Sequence, residues 1–310
     1  MRDISPESPE ARSHAPKWKR SLRKLRPDQR VLEIVKRVAI GVYSDGFIHA
    51  GNLAYLALVS LFPFLIVLAA LAQAFGRGAD TAATIENLLR LIPPSVAGLL
   101  RQPIGDVLAQ RTGSLLWLGA LVGLWTVGSF IETIRDILRR AYGTEFSRAF
   151  WHYRLGSVAI IIGAVAAVLT VFSMQVAFVA AEQVIYRLFP FAGWIGNWIG
   201  IARLPTLLLL WAALYMIFFT LTPSRYRYGR CPKWPGALFT AGWWTMVTMA
   251  LPSALSLLGG YGRTYGSLAG VIVALFFFWL VGFGLVIGAH LNAALAETPE
   301  TGVREDRPDG

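Results

Sequence analysis

"LAGVIVALFFFWLVGFGLVIGAHLNAAL", residues Leu268 to Leu295, contains no Asp, Glu, Lys or Arg, and its polar side chains, His290 and Asn292, stand in its last two turns. As a helix rising 1.5 Å per residue it would extend about 42 Å, beyond the ~30 Å hydrocarbon layer of a bilayer. The run therefore predicts a membrane-spanning helix. It also poses a question: whether His290 and Asn292 are ordinary end-of-helix chemistry or part of a site.

Composition agrees with the run. Of 310 residues, 55% are hydrophobic and 15% are charged, against roughly a quarter charged in soluble domains. The formal charge of +11 could suggest nucleic acid, but the basic residues fall in short stretches between apolar runs rather than in one patch, so no nucleic-acid partner is expected. A single cysteine, Cys231, excludes an intrachain disulfide and any paired-thiolate metal site. The first 45 residues lack a short apolar region followed by a small-residue cleavage site, so the N-terminus is expected to be retained.

Six stretches reach the length of a span: about 47–75, 114–134, 156–180, 200–222, 236–258 and 268–295. Of the 29 Lys and Arg, 22 lie in the N-terminal segment, the 135–155 and 223–235 loops and the C-terminal tail, and 7 on the alternate side. The positive-inside rule places both termini in the cytoplasm. The expected fold is thus an all-α, polytopic membrane bundle of six transmembrane helices with short amphipathic interfacial helices. Residues 1–28 are expected to be a disordered basic tail, 29–296 the transmembrane domain opening with an amphipathic helix over 29–44, and 297–310 a disordered tail. In that opening helix Val31, Val35, Val38 and Val42 share a face, as suits either an interfacial helix on anionic lipid or a helix packed under the bundle. Between the first two spans, residues around Ile85–Ile92 and Val96–Leu100, separated by Pro93 and Pro94, read as two short outer helices.

Polar residues inside spans are costly, so their positions carry information. On the first span Asp45, His49, Asn52 and Tyr55 follow i, i+4, i+7, i+10. On the second, Thr126, Ser129, Glu132 or Thr133, and Asp136 repeat similarly, and the sixth ends in His290 and Asn292. By this topology these residues reach a common depth near the cytoplasmic face. Two readings stand: interhelical glue close to the headgroups, or a hydrated vestibule that carries a proton or holds a headgroup. No ligand spacing supports a metal, and no cofactor is implied. Pro63, Pro205 and Pro252 fall within spans and predict kinks, while Gly119/Gly123 and Gly284/Gly288 fit the GxxxG packing pattern. "GGYGRTYGSLAG" (259–270) matches neither GxGxxG nor Gly-Lys-Ser/Thr, which argues against an ATPase.

The blocks "LAYLALVSLFPFLIVLAAL" (53–71), "LYMIFFTLTP" (214–223), "KWPGALFTAGWW" (233–244), "YGSLAGVIVALFFFWL" (265–280) and "GAHLNAAL" (288–295) occur in matching order over about residues 30–296. With them the chain resembles the YihY/BrkB family of bacterial inner-membrane proteins. The resemblance implies a multi-pass inner-membrane protein with cytoplasmic termini, an old ribonuclease BN label regarded as a misassignment, and, for one branch, lipopolysaccharide or lipid traffic. The family typically shows Glu where His290 stands, and histidine titrates nearer neutrality with opposite charge. The function expected on these grounds is that of a non-enzymatic, transporter-like protein for a lipid or other amphiphilic envelope substrate. Asp45, His49, Asn52, Tyr55, Glu132, His290 and Asn292 would line its pathway, and Arg203 and Arg263 would meet anionic headgroups outside. Its partners would be membrane lipids, lipopolysaccharide-type or other anionic lipids, with a homo-oligomer left open. The alternative is a non-transporting envelope scaffold or interaction protein.

Overall fold

The computed structural model describes residues 5–13, 27–74, 114–144, 204–228, 231–257 and 268–297, with the single positions 156 and 163. Among the described residues the fold is all-α. Its helices are α1 (Pro9–Ser13), α2 (Pro27–Ala74), α3 (Ser114–Tyr142), α4 (Leu204–Leu221), α5 (Ser224–Arg227), α6 (Trp234–Leu257) and α7 (Leu268–Leu295). Prolines explain two starts. Pro9 opens α1 and Pro235 is the second residue of α6, where a missing N–H costs nothing.

Helix α7 is central. It packs along α2 and α6 and touches α3, while α4 closes against α6 and α2 runs along α3. One apolar cluster joins these five helices, with Leu138, Phe218, Phe277 and Val286 fully enclosed. Among the described residues Ala269–Leu295 is long and apolar enough to cross a membrane, and Gly46–Ser60 and Leu207–Leu221 are shorter apolar stretches. The sequence-derived segment 156–180, apart from positions 156 and 163, the outer pair around 85–100 and Arg203 and Arg263 lie outside the described residues.

Two elements differ from the sequence reading. The helix expected over 29–44 is continuous with the first span as the first part of α2, whose 48 residues extend about 72 Å. No proline or helix-stopping pattern separates it from the apolar span beyond, so the hydrogen-bond ladder continues. Its supposed apolar face is also divided: Val31 and Val35 are exposed, whereas Arg37, Gly41 and Val42 are buried. Further along, Gly46, Ala50, Leu53 and Ala54 are the buried positions, so the inward face turns by roughly 140° at 100° per residue. The second difference is at the N-terminus. Within the segment expected to be disordered, Ser5–Ser13 is folded against the helix ends, with Ser5, Ser8 and Arg12 buried. Polar composition hid this because the segment is fixed by hydrogen bonds and not by apolar burial.

The α6–α7 contact is built from small residues. A Cβ at Gly236 would collide with the Gly288 carbonyl and Asn292, and one at Gly288 would collide with the Thr240 hydroxyl and the Gly236 carbonyl. One at Gly284 would strike the Trp243 ring. The two backbones thus touch, as the Gly284/Gly288 spacing leads one to expect. Gly288→Val should destabilise the purified protein by about 1–3 kcal/mol through overpacking. Thermal unfolding in detergent checks this, and a melting temperature equal to wild type would contradict the seam.

Candidate functional site

His290 and Asn292 sit in the last turns of α7, and the structure gives each a different neighbour. Asn292 is fully buried, and its Oδ1 accepts the Gly236 N–H at 2.8 Å. Gly236 is the third residue of α6, so its N–H has no acceptor within its own helix. Asn292 therefore caps α6 from a neighbouring helix. One and two turns further, Thr240 Oγ1 donates to Gly236 O at 2.8 Å with Gly284 O at 3.3 Å, and Trp243 Nε1 donates to Leu280 O at 2.8 Å. Gly236, Thr240 and Trp243 follow i, i+4, i+7 opposite Leu280, Gly284, Gly288 and Asn292, a ladder of polar ties along an apolar seam.

His290, 5% exposed, turns the other way, onto α2. A Cβ at Gly41 would overlap its imidazole ring, so the pair Gly41–His290 is a size match. From there the antiparallel register runs Gly46 against Val286 and Gly282 against Ala50 and Leu53. Gly282 is the middle of Ala269–Leu295. Asn52 is consequently near mid-length of the apolar helix, about 12 Å along it from His290 at 1.5 Å per residue. Asn52 and His290 are therefore separated along α7.

Each remaining candidate has a definite place. His49 is half-buried, Asn52 is exposed and Tyr55 is 60% exposed, and with Ile48 they line one outward face of α2. The Asp45 side chain lies outside the described ones. Glu132 is half-buried on α3 and accepts from Arg135 at 2.6 Å. Ser129 and Thr133 donate to carbonyls of their own helix, Trp125 O and Ser129 O. Asp136 accepts from Arg139 at 2.6 Å and Arg140 at 2.8 Å. Burial pushes its carboxyl up, but the hydrogen bonds and charges of Arg140 and Arg139 outweigh burial and hold it below its ordinary value. The structure thus brings His290 to α2 and Asn292 to α6, and leaves Glu132 in a local pair on α3.

Sequence reading missed the polar groups around the end of α7. Arg37 is 3% exposed and paired to Glu33 at 3.0 Å. Lys233 is buried and donates to the carbonyls of Tyr226 (2.7 Å) and Arg227 (2.6 Å), with burial pushing its ammonium down. Arg227 donates to Thr220 O and Thr222 O, stitching α4 to α5. The signal for the α6 side was present in "KWPGALFTAGWW", where Gly236, Thr240 and Trp243 stand at helical spacing. Nothing local marks Arg37 as buried.

A family model described as "Virulence factor BrkB" matches residues 44–309. The chain belongs to the BrkB family. This BrkB-family chain is also 30% identical over 261 residues to a Bacillus subtilis (strain 168) protein named putative ribonuclease-like protein YfkH, covering 81% of this chain and 90% of that one. No solved structure matches. BrkB is not an established enzyme family, and the relative's ribonuclease wording is itself only putative. Membership and the helix Ala269–Leu295 make the chain a membrane protein. Among the described residues no group of three or more His, Cys, Asp or Glu is placed to hold a metal ion.

Two outcomes test this geometry. Gly41→Ala should lower the melting temperature although alanine favours helix by about 1 kcal/mol, and His290→Ala in the same chain should restore it; additive losses would deny the contact. Asp136 has a folded pKa below its unfolded value, so its stabilisation is present above about pH 4 and lost as pH falls through the lower folded value. Asp136→Asn should therefore reduce stability at neutral pH and flatten its fall in acid, whereas an unchanged acid limb would deny the pairing.

Proposed function

We propose that this membrane protein crosses the bacterial inner membrane six times, with both termini cytoplasmic, and moves or helps to move a lipid or other amphiphilic envelope substrate. The observation that supports this reading is the exposed position of Asn52. By register with Gly282 it sits level with the middle of the apolar α7, where an amide facing acyl chains would be unfavourable. Tyr55 and Ile48 flank it on the same exposed face, which combines hydrogen-bonding groups with apolar surface. Such a face suits a molecule with a polar head and a hydrocarbon tail. His49 extends the polar line toward the α2 N-terminus.

In this reading the seam and the pathway are separate. Asn292 and His290 hold helices, and Asn52, Tyr55 and His49 meet substrate or water. Arg203 and Arg263 would serve anionic headgroups on the outer side. The sequence carries no phosphate-binding loop, so coupling would be to an ion gradient or absent. The second reading, a non-transporting envelope scaffold, is favoured by the Asn292–Gly236 and Trp243–Leu280 ties, which are adhesive contacts.

Liposomes containing the purified protein and a fluorescent anionic phospholipid separate the two. Wild type should redistribute the lipid between leaflets, and Asn52→Leu should abolish redistribution while retaining the wild-type melting temperature. Asn292→Leu should instead cost about 1–3 kcal/mol of stability by leaving Gly236 N–H buried without an acceptor. Absence of redistribution by wild type, with or without a pH gradient, would favour the scaffold. Metal-dependent cleavage of RNA by the same preparation would point to a nuclease instead.

A further inference from the structure

The segment Ser5–Ser13 precedes the residues that match the family model, which begin at 44, yet it is fastened to three separate elements. On α7, the buried Arg12 donates from Nη2 to Ala293 O at 2.8 Å and from Nη1 to Ala294 O at 3.4 Å, placing a cation on the helix's carbonyl end. On α5, Glu10 accepts from Arg225 at 2.8 Å and from the Tyr226 hydroxyl at 2.8 Å. On α3, Ser5 N–H donates to Arg140 O at 3.2 Å. There Gly143, at φ +79°, ends the helix with its N–H on Arg139 O and leaves no Cβ where Ser8 packs.

We infer that Ser5–Ser13 is a latch, a releasable strap that closes the end of the bundle where α3, α5 and α7 finish and that must leave before this end can open. Three features make the contact releasable. Helix α1 has five residues, too few to be helical without its partners. Its fixings are mainly an ion pair and hydrogen bonds, and of its buried residues Ser5, Ser8, Pro9 and Arg12 one alone, Pro9, is apolar. Its anchors are also distributed, so loss of one weakens the rest. In the proposed topology the latch lies on the cytoplasmic side, and its effect on lipid movement rests on the transport reading.

Cys231, the chain's single cysteine, is a native reporter: it is buried and donates to Glu297 O, just beyond the Ala293 and Ala294 carbonyls that Arg12 holds. The reaction of Cys231 with a small maleimide is followed in the purified full-length protein. Arg12→Ala and Glu10→Gln should each speed it at least about tenfold by populating the open form, with Arg12→Lys between. Wild type should react faster in 1 M salt, where the screening length falls to about 3 Å. Rates equal to wild type in both variants, with melting curves showing them folded, would overturn the latch. If Arg12→Ala does not fold, Glu10→Gln and the salt series decide, and no acceleration in either would overturn it. Faster labelling without any lipid redistribution by wild type leaves the latch standing and counts against transport.

Discussion

The contact on which the structure turns is the backbone-to-backbone approach of α6 and α7 at Gly236 and Gly288. Without side chains there, the helices come close enough for Asn292 to reach an N–H that α6 cannot satisfy itself, and for Thr240 and Trp243 to bond carbonyls across the seam. In a lipid environment, where helix association draws little from hydrophobic burial, close packing and such ties are what hold neighbours together. Helix α4 then packs on α6, with Phe218 lying against Gly288. Helix α2 is fitted to the other side of α7 through Gly41, Gly46 and Gly282.

This arrangement answers the question raised by the polar end of α7. His290 and Asn292 are buried on opposite neighbours, one filling the space that Gly41 leaves and the other capping α6. The histidine at a position where relatives are expected to show glutamate therefore bears first on fit against α2. The exposed polar face lies elsewhere, on Asn52 and Tyr55 at the mid-length of α7. The two faces are separated by register: the same helix, α2, turns its glycines toward α7 and its amide outward.

Much of the helical framework was legible. The apolar run Leu268–Leu295 coincides with α7, and the runs at 200–222 and 236–258 differ from α4 and α6 by a few residues. The GxxxG spacing of Gly284 and Gly288 marks a true contact, and the blocks "KWPGALFTAGWW" and "GAHLNAAL" meet at the α6–α7 seam. Spacing along α2 does not reveal that Leu53 packs against Gly282, which sets Asn52 about two turns along α7 from His290. The N-terminal segment was illegible for a different reason. Arg12, Glu10 and Ser8 look like a solvated tail, and only their partners, the carbonyls of Ala293 and Ala294, Arg225 and Gly143, lying far away in sequence, make them part of the fold. Buried Arg37 was equally unreadable, since an i, i+4 pair with Glu33 occurs as often on an exposed surface.

Thiol accessibility in membranes decides whether Asn52 meets water or a polar group at the level of the bilayer middle while its neighbour Leu53 is packed on α7. With Cys231→Ser as background, Asn52→Cys and Leu53→Cys are exposed in turn to a water-soluble, charged thiol reagent. Position 52 should react and position 53 should be protected. Protection at both positions, or equal reaction at both, would contradict this placement.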